Sequence, residues 1–226
     1  SWESGMELHA KYTLFSEGTR GSLSKFLIEN FNLSENSDFQ KYAIGLKELW
    51  EINEENFDDG LVEHSMGWPL SDETKGGSFL YHFDKNLVSI GYVIHLNYTN
   101  PYVSPFDEFQ QFKTHPSVKK VLKGGKRISY GARAITTGGY QSVPKLYFPG
   151  GAIIGCSAGF LNYPKIKGTH NAMESGMLAA EAIIDNYISN NQENDLTNYQ
   201  EKYENSRIAK ELKRVRNIKP YQARYG

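Results

Sequence analysis

The sequence holds a single cysteine, Cys156, among 226 residues. That excludes a disulfide framework within the chain, and an iron–sulfur cluster or cysteine-rich zinc site built from this chain alone. A reducing compartment is the natural reading. An excess of charge of one sign is also missing, with 25 basic residues against 26 acidic ones. A nucleic-acid surface is therefore not indicated, and no nucleic acid is expected as a partner. No apolar run approaches the roughly 18 residues of a membrane-spanning helix. The opening SWESGMELHA is neither a signal peptide nor an initiator-methionine start, so the expectation is a piece of a longer chain. The length suffices for one large or two small domains with a real core.

What is present is organised around Pro149 to Ala182, PGGAIIGCSAGFLNYPKIKGTHNAMESGMLAAEA. It reads as a short buried strand (Ala152-Ile153-Ile154), a turn punctuated by Gly155 and Gly159, a basic loop with Lys165 and Lys167, and a helix opening at Gly168-Thr169. Ala172, Ser175, Gly176, Ala179 and Ala180 recur at spacings of three and four, so one helix face can lie very close to a flat partner. A strand, a glycine turn and a free helix N-terminus direct backbone N–H groups at one place, which suits an anionic or electron-rich group. An ordinary strand–loop–helix connection accounts for the same pattern.

Earlier in the chain, Met6 to Phe15 alternates as a strand, SEGTRGS breaks it, and Leu23 to Phe31 follows as a helix with Ser22 or its neighbours as cap. This is a second strand, turn and helix. From Phe39 to Tyr130 the texture changes. Tyr42 to Ile52, Leu61 to Pro69, Gly77 to Phe83 and Leu87 to Leu96 are β-prone and joined by short turns, which argues for an antiparallel sheet. A helix at Phe106 to Phe112 carries Phe106, Phe109 and Phe112 at helical spacing, more in keeping with a core than with ligand contact. Arg127 to Ile135 is a further strand. After the long helix, a polar SNNQEND link with Asp195 as cap leads to Leu196–Val215, read as one charged surface helix with Lys210, Lys213, Arg214 and Arg216 crowding its end. The expected fold class is α/β (α+β): a discontinuous α/β layer made from the two ends, with a β-rich antiparallel-sheet domain inserted and lying over whatever the ends hold.

Taken in order, GMELHAKYTLFSEGTRGSLSK, IGLKELWEI, HSMGWPL, GGSFLYHF, NPYVSPFDEFQQFK, GGKRISYGARAI, GCSAGFLNYPKIKGTHNAMESGMLAAEAI and KELKRVRNIKP resemble the electron transfer flavoprotein-ubiquinone oxidoreductase family over almost the whole chain. The resemblance implies a flavoprotein hydroxylase/reductase-like fold. It implies an FAD enzyme that takes electrons from reduced electron transfer flavoprotein and passes them to ubiquinone at a membrane surface. Its location would be peripheral or monotopic, on the mitochondrial inner membrane or the bacterial cytoplasmic membrane. The chain would be the central portion. The family's dinucleotide fingerprint, its 4Fe-4S cluster cysteines and its membrane-embedding segments have no counterpart here, so that cluster is expected in a full-length protein and not ligated by this chain. The domains implied are 1–37 and 136–190 as parts of an FAD-binding domain, 38–135 as a quinone-binding domain, and 191–226 as a C-terminal surface helix leading on.

By that resemblance the FAD candidates are Glu17, Gly18 and Arg20 of the SEGTRG loop, Gly155 and Gly159 of the turn, and Lys167, Gly168, Thr169 and His170 at the helix start. Relatives of the wider class carry an acidic residue where Cys156 stands, so no ribityl-binding carboxylate is assigned there. Glu17 and Arg20 read equally as a turn with a local ion pair, and His170 as a packed residue bonded to backbone. For the quinone the resemblance points to Gly76 and Gly77, with Phe79 and Tyr81 as walls; a hairpin or bulge glycine pair is the alternative. No metal set emerges from His64, His82, His95, His115 and His170. No general base or covalent nucleophile is required. The competing readings are a prenyl-lipid (geranylgeranyl-type) flavin reductase and a non-catalytic quinone- or membrane-binding module, the isolated piece being expected inactive.

Overall fold

The computed structural model of the chain describes residues 3–189 and 195–225. Two compact units make it up: residues up to Gln40 together with Thr136–Tyr225, and Lys41–Ile135. The first contains β1 (Thr13–Phe15), α1 (Ser22–Asn30), β7 (Tyr147–Phe148), β8 (Gly151–Ile153), α4 (Thr169–Ile188), α5 (Thr197–Asn205), α6 (Arg207–Val215) and α7 (Ile218–Tyr225). The second contains β2 (Tyr42–Glu51), β3 (Val62–Met66), β4 (Gly76–Phe83), β5 (Leu87–His95), α2 (Pro105–Phe112), α3 (Pro116–Leu122) and β6, which runs from Lys126 to Thr136.

The continuous unit is a five-stranded sheet in the order β3-β4-β5-β2-β6. Strands β3, β4, β5 and β2 pair antiparallel in turn, from Val62 opposite Tyr81 to Glu51 opposite Leu87. Alternation fixes which face is core. Val88, Ile90, Tyr92 and Ile94 of β5 point one way, as a period of two demands, and meet Phe109 and Phe112 of α2 and Val118 and Leu122 of α3. The aromatic stripe therefore divides: Phe109 and Phe112 are core, whereas Phe106 is 55% exposed. Helix α3 was not anticipated; Pro116 opens it, at the position where a missing N–H costs nothing.

In the discontinuous unit, β1 and β8 run parallel, from Thr13 beside Gly151 to Phe15 beside Ile153, and β7 turns back on β8. The strand expected over Met6 to Phe15 shrinks to three residues because β8 offers only three partners, and Met6 and Leu8 lie 93% and 91% exposed. The expected helix Leu196–Val215 is two helices. Ser206 is extended between them and its hydroxyl caps α6 at the Ala209 amide, 3.3 Å away. Nor are they surface helices. Tyr199, Tyr203, Ile208 and Leu212 are buried with Phe160, Ala179 and Ile153 in this unit's core. The N-cap of α5 is Leu196 rather than Asp195, and residues 190–194 of the polar link lie outside the described residues.

One charged group sits inside the sheet unit. Glu48 of β2 is 3% exposed and accepts from Lys113 Nζ at 2.8 and 2.9 Å, from Arg127 at 3.0 Å and from the Trp50 indole at 2.8 Å. Burial pushes its carboxyl up, but the bonds from Lys113, Trp50 and Arg127 outweigh burial and hold it below the ordinary value. Lys113→Met strips the main partner from a buried carboxylate, so it should cost roughly 3 kcal/mol in urea unfolding. A lowered carboxyl stabilises the fold above its unfolded value and ceases to as pH falls through the folded one. The deficit of Lys113→Met should therefore be full above about pH 4.5 and shrink on acidification below it.

Candidate functional site

The expected cofactor residues all fall in the discontinuous unit, and most gather around the turn after β8. Gly155 (φ 63°) and Gly159 (φ 84°) sit in the left-handed region that glycine adopts freely, so the chain leaves β8 and doubles back at once. The turn is tied in two directions. The Gly155 amide donates to Ser175 Oγ of α4 at 2.9 Å, and Ser157 Oγ donates to the Gly18 carbonyl at 3.0 Å, bridging 139 residues of sequence. The SEGTRG loop and the start of α4 thus flank the same turn. A side chain at Gly18 would point into open space.

Helix α4 begins without help. Its N-cap is Gly168, no side chain caps it, and the first intrahelical bond runs from Ala172 N to Gly168 O. The amides of Thr169, His170 and Asn171 precede that bond, as at any helix start, and Thr169 is exposed. These amides and Lys167 fit an anionic or electron-rich group, and the carboxylates of the flanking segments are themselves engaged. Glu17 folds back over Gly21 and accepts from the Ser24 amide at 2.5 Å, the Ser24 hydroxyl at 2.7 Å and the Leu23 amide at 3.3 Å. It is the N-terminal acceptor of α1, and the Ser24 hydroxyl and amide hold its carboxyl below the ordinary value. Arg20 is exposed beside it.

Glu211 of α6 is the second engaged carboxylate. It accepts from Asn162 Nδ2 at 2.7 Å and from His170 Nε2 at 3.0 Å, and pairs with Lys165 Nζ at 3.3 Å. Burial opposes its charge, yet the bonds from Asn162, His170 and Lys165 draw its pKa down to about 2. His170 is accordingly bonded to a carboxylate, not to backbone. Nothing in the sequence singled out Glu211; its only signal is its place beside the buried Leu212 on a helix turned toward the core.

The small residues of α4 serve the chain itself. Asn171, Ser175, Ala179, Ala182 and Asn186 form its buried face; Ser175 meets the turn, and the Ala182 carbonyl accepts from Asn198 of α5 at 2.8 Å. Cys156 is half-buried in the turn, where burial pushes its thiol up.

The expected quinone residues lie on β4. A side chain on Gly76 would strike Leu70 and the Val93 carbonyl, and one on Gly77 would come 2.5 Å from the Ser65 carbonyl, so the sheet's own packing calls for both glycines. Phe79 and Tyr81 stack at 5.0 Å on the face away from the core, with His64 edge-on to Tyr81 and the Phe79 ring covering Gly91. The other face of β4 borders a cavity of about 450 Å³ that the sequence did not suggest. Ser65 and Ser78, hydrogen-bonded at 2.6 Å, and Leu80 line it from the sheet; Phe112 of α2, Val118 of α3 and His115 between those helices line it from the other side. Its volume is that of small-molecule sites. Among the described residues no group of three or more His, Cys, Asp or Glu side chains is placed to hold a metal, and no helix is long and apolar enough to cross a membrane.

Residues 42–135 match the family model described as ETF-QO, ubiquinone-binding. Over 97% of its length the chain is 54% identical to the human mitochondrial electron transfer flavoprotein-ubiquinone oxidoreductase, covering 37% of that protein. It is 54% identical over 95% of its length to the enzyme of the same name from Pseudomonas aeruginosa, covering 39% of it. The chain thus spans little more than a third of these relatives. Among solved structures it resembles a geranylgeranyl bacteriochlorophyll reductase-like protein from Thermoplasma acidophilum, with a TM-score of 0.72 and 17% identity over 96% of this chain and 51% of that one. A flavoprotein/dehydrogenase from Cytophaga hutchinsonii follows at 0.57 and 14%, over 94% of this chain and 49% of that one. These two likenesses are of fold: mixed α/β with an antiparallel sheet.

Ser175→Ala would leave the buried Gly155 amide without an acceptor, a loss of about 2 kcal/mol in chemical unfolding. Ser24→Ala leaves the exposed Glu17 carboxylate its two backbone donors and water, so it should cost distinctly less in the same measurement.

Proposed function

We propose, starting from this chain being a segment of the electron transfer flavoprotein-ubiquinone oxidoreductase family, that its discontinuous unit seats FAD and its continuous unit receives ubiquinone. The observation that carries this reading is the Ser157–Gly18 bond, which joins two glycine loops beside an uncapped helix start. FAD, when bound, supplies the electron-carrying chemistry. The chain's own contribution is binding and electrostatics. Gly18, Gly155 and Gly159 give backbone that a flat cofactor can approach; the α4 amides and Lys167 favour the negative charge that arrives with reduction. Glu17 and Arg20 act at the rim, the former by ordering the loop through α1. His170 and Thr169 complete the helix start.

On this reading residues 1–37 and 136–190 belong to the FAD-binding part, 38–135 to the quinone-binding part, and 191–226 continue toward the rest of the enzyme. Electrons come from reduced electron transfer flavoprotein and leave on ubiquinone, at a peripheral site on a mitochondrial inner or bacterial cytoplasmic membrane. A 4Fe-4S cluster belongs to the portion of the enzyme outside this chain. We place the quinone against Phe79 and Tyr81, where a flat ring finds aromatic surface and a phenol for one carbonyl. Gly76 and Gly77 contribute by letting the strands close behind those rings.

Purified chain incubated with FAD and desalted should retain the yellow cofactor, read from its visible spectrum; folded but colourless protein would remove the FAD assignment and favour a binding module. For the quinone, Gly77→Val is a poor probe because the added side chain meets β3 itself. Phe79→Leu with Tyr81→Phe should weaken binding of a short-tailed ubiquinone by about tenfold or more, a loss of roughly 1.4 kcal/mol. Ser78→Val in the cavity should leave it unchanged. The reverse outcome would move the head group to the cavity.

A further inference from the structure

The segment that leads into α4 is held in a conformation it would not keep alone. Asn162 and Lys167 bridge each other through two backbone bonds of 2.9 and 3.3 Å, and the tight turn between them puts Ile166 at φ 56°. A β-branched residue in the left-handed region is strained, and such strain persists only where the surroundings over-determine it. The turn's own bonds are few: Ile166 N to the Tyr163 carbonyl at 3.0 Å and Lys165 N to Asn162 Oδ1 at 3.2 Å. Two distant helices add restraint: Gln222 of α7 accepts from the Tyr163 hydroxyl at 2.6 Å, and α6 supplies Glu211. The Glu211 carboxylate takes Asn162 at the base of the turn, Lys165 within it and His170 in the first turn of α4. One side chain thus clamps both ends of the Lys167-Gly168-Thr169 stretch.

We infer that Glu211 is a positioning residue for the cofactor: it holds the 162–170 segment in place and tempers the positive charge that Lys165 and Lys167 bring to the start of α4. This rests on the proposal that the α4 start faces FAD, but the clamping itself does not. A neutral glutamine at 211 keeps an oxygen for Asn162 while giving up the ion pair to Lys165 and the charge beside His170. Two consequences follow from that chemistry. The turn loosens, and the local field becomes more positive, which favours the flavin that carries added negative charge.

The test compares Glu211→Gln with Glu174→Gln, which breaks the other carboxylate tie between α4 and α6, that of Glu174 to Arg207 at 2.7 and 2.9 Å. In Glu211→Gln the amides of Asn162, Lys165 and Lys167 should exchange with deuterium several-fold faster than in the parent, while the Ile153 amide of the core keeps its rate. The midpoint potential of the FAD-loaded protein should shift upward. Glu174→Gln should do neither. Unchanged exchange in Glu211→Gln, faster exchange with an unshifted potential, or equal effects in both variants would each overturn the inference. Were Glu211→Gln not to fold, Glu211→Asp, with the charge kept on a shorter arm, should show the faster exchange with little shift in potential; parent-like exchange would overturn the inference. A parent chain that takes up no FAD would refute the proposed function, and the exchange rates would still decide the clamp.

Discussion

The discontinuous unit depends on one buried hydroxyl. Ser175 Oγ accepts the Gly155 amide at 2.9 Å and donates to the Ala172 carbonyl at 2.7 Å, so a strand end and a helix are joined through a single oxygen with no side chain wedged between them. Anything larger at 175 would push α4 away from the turn. Anything apolar would bury an unsatisfied amide, whose desolvation is not recovered elsewhere. Because the turn also carries Ser157, the position of the Gly18 loop is set from the same point. Close packing and the geometry of the candidate site are therefore one constraint.

Local signals carried much of this fold. The β-prone run Leu87 to Leu96 located β5, and the Gly168-Thr169 boundary located the start of α4, because both depend on residues near in sequence. The failures have a common cause. The length of β1 depends on how many residues β8 presents, and the break at Ser206 depends on a hydroxyl whose capping role looks, in sequence, like one more polar residue in a helix. Reading Leu196–Val215 as surface followed from its charge; its buried residues recur at four-residue spacing within two helices that are not in phase. At the site, glycines and basic residues were legible as types. That Glu17 serves α1, that Glu211 gathers three donors, and that a cavity opens beside Ser78 required the third dimension.

Three carboxylates show how charge is handled here. Glu48, Glu17 and Glu211 each collect several donors, and each is held in its ionised form by them. Their work differs with their surroundings. Glu48 staples β2 to Lys113 and Arg127 inside a sheet unit, Glu17 replaces a helix cap, and Glu211 spans two helices and a strained turn. Glu17 answers the first amides of α1, and Glu211 stands beside the start of α4 with its charge taken up by Asn162, Lys165 and His170.

The order in which the chain becomes native follows from the pairing of Thr13 with Gly151. Strands β1 and β8 cannot meet until everything between them has been reeled in, and closing so long an unstructured loop is entropically unfavourable. The intervening sheet changes that requirement. Its first and last strands, β2 and β6, are neighbours, with Gly45 beside the Arg133 carbonyl and Gly125 beside the Glu51 carbonyl; they run in opposite directions, so the start of β2 and the end of β6 lie side by side. A long random loop is thereby replaced by a short tether between the two halves of the split unit.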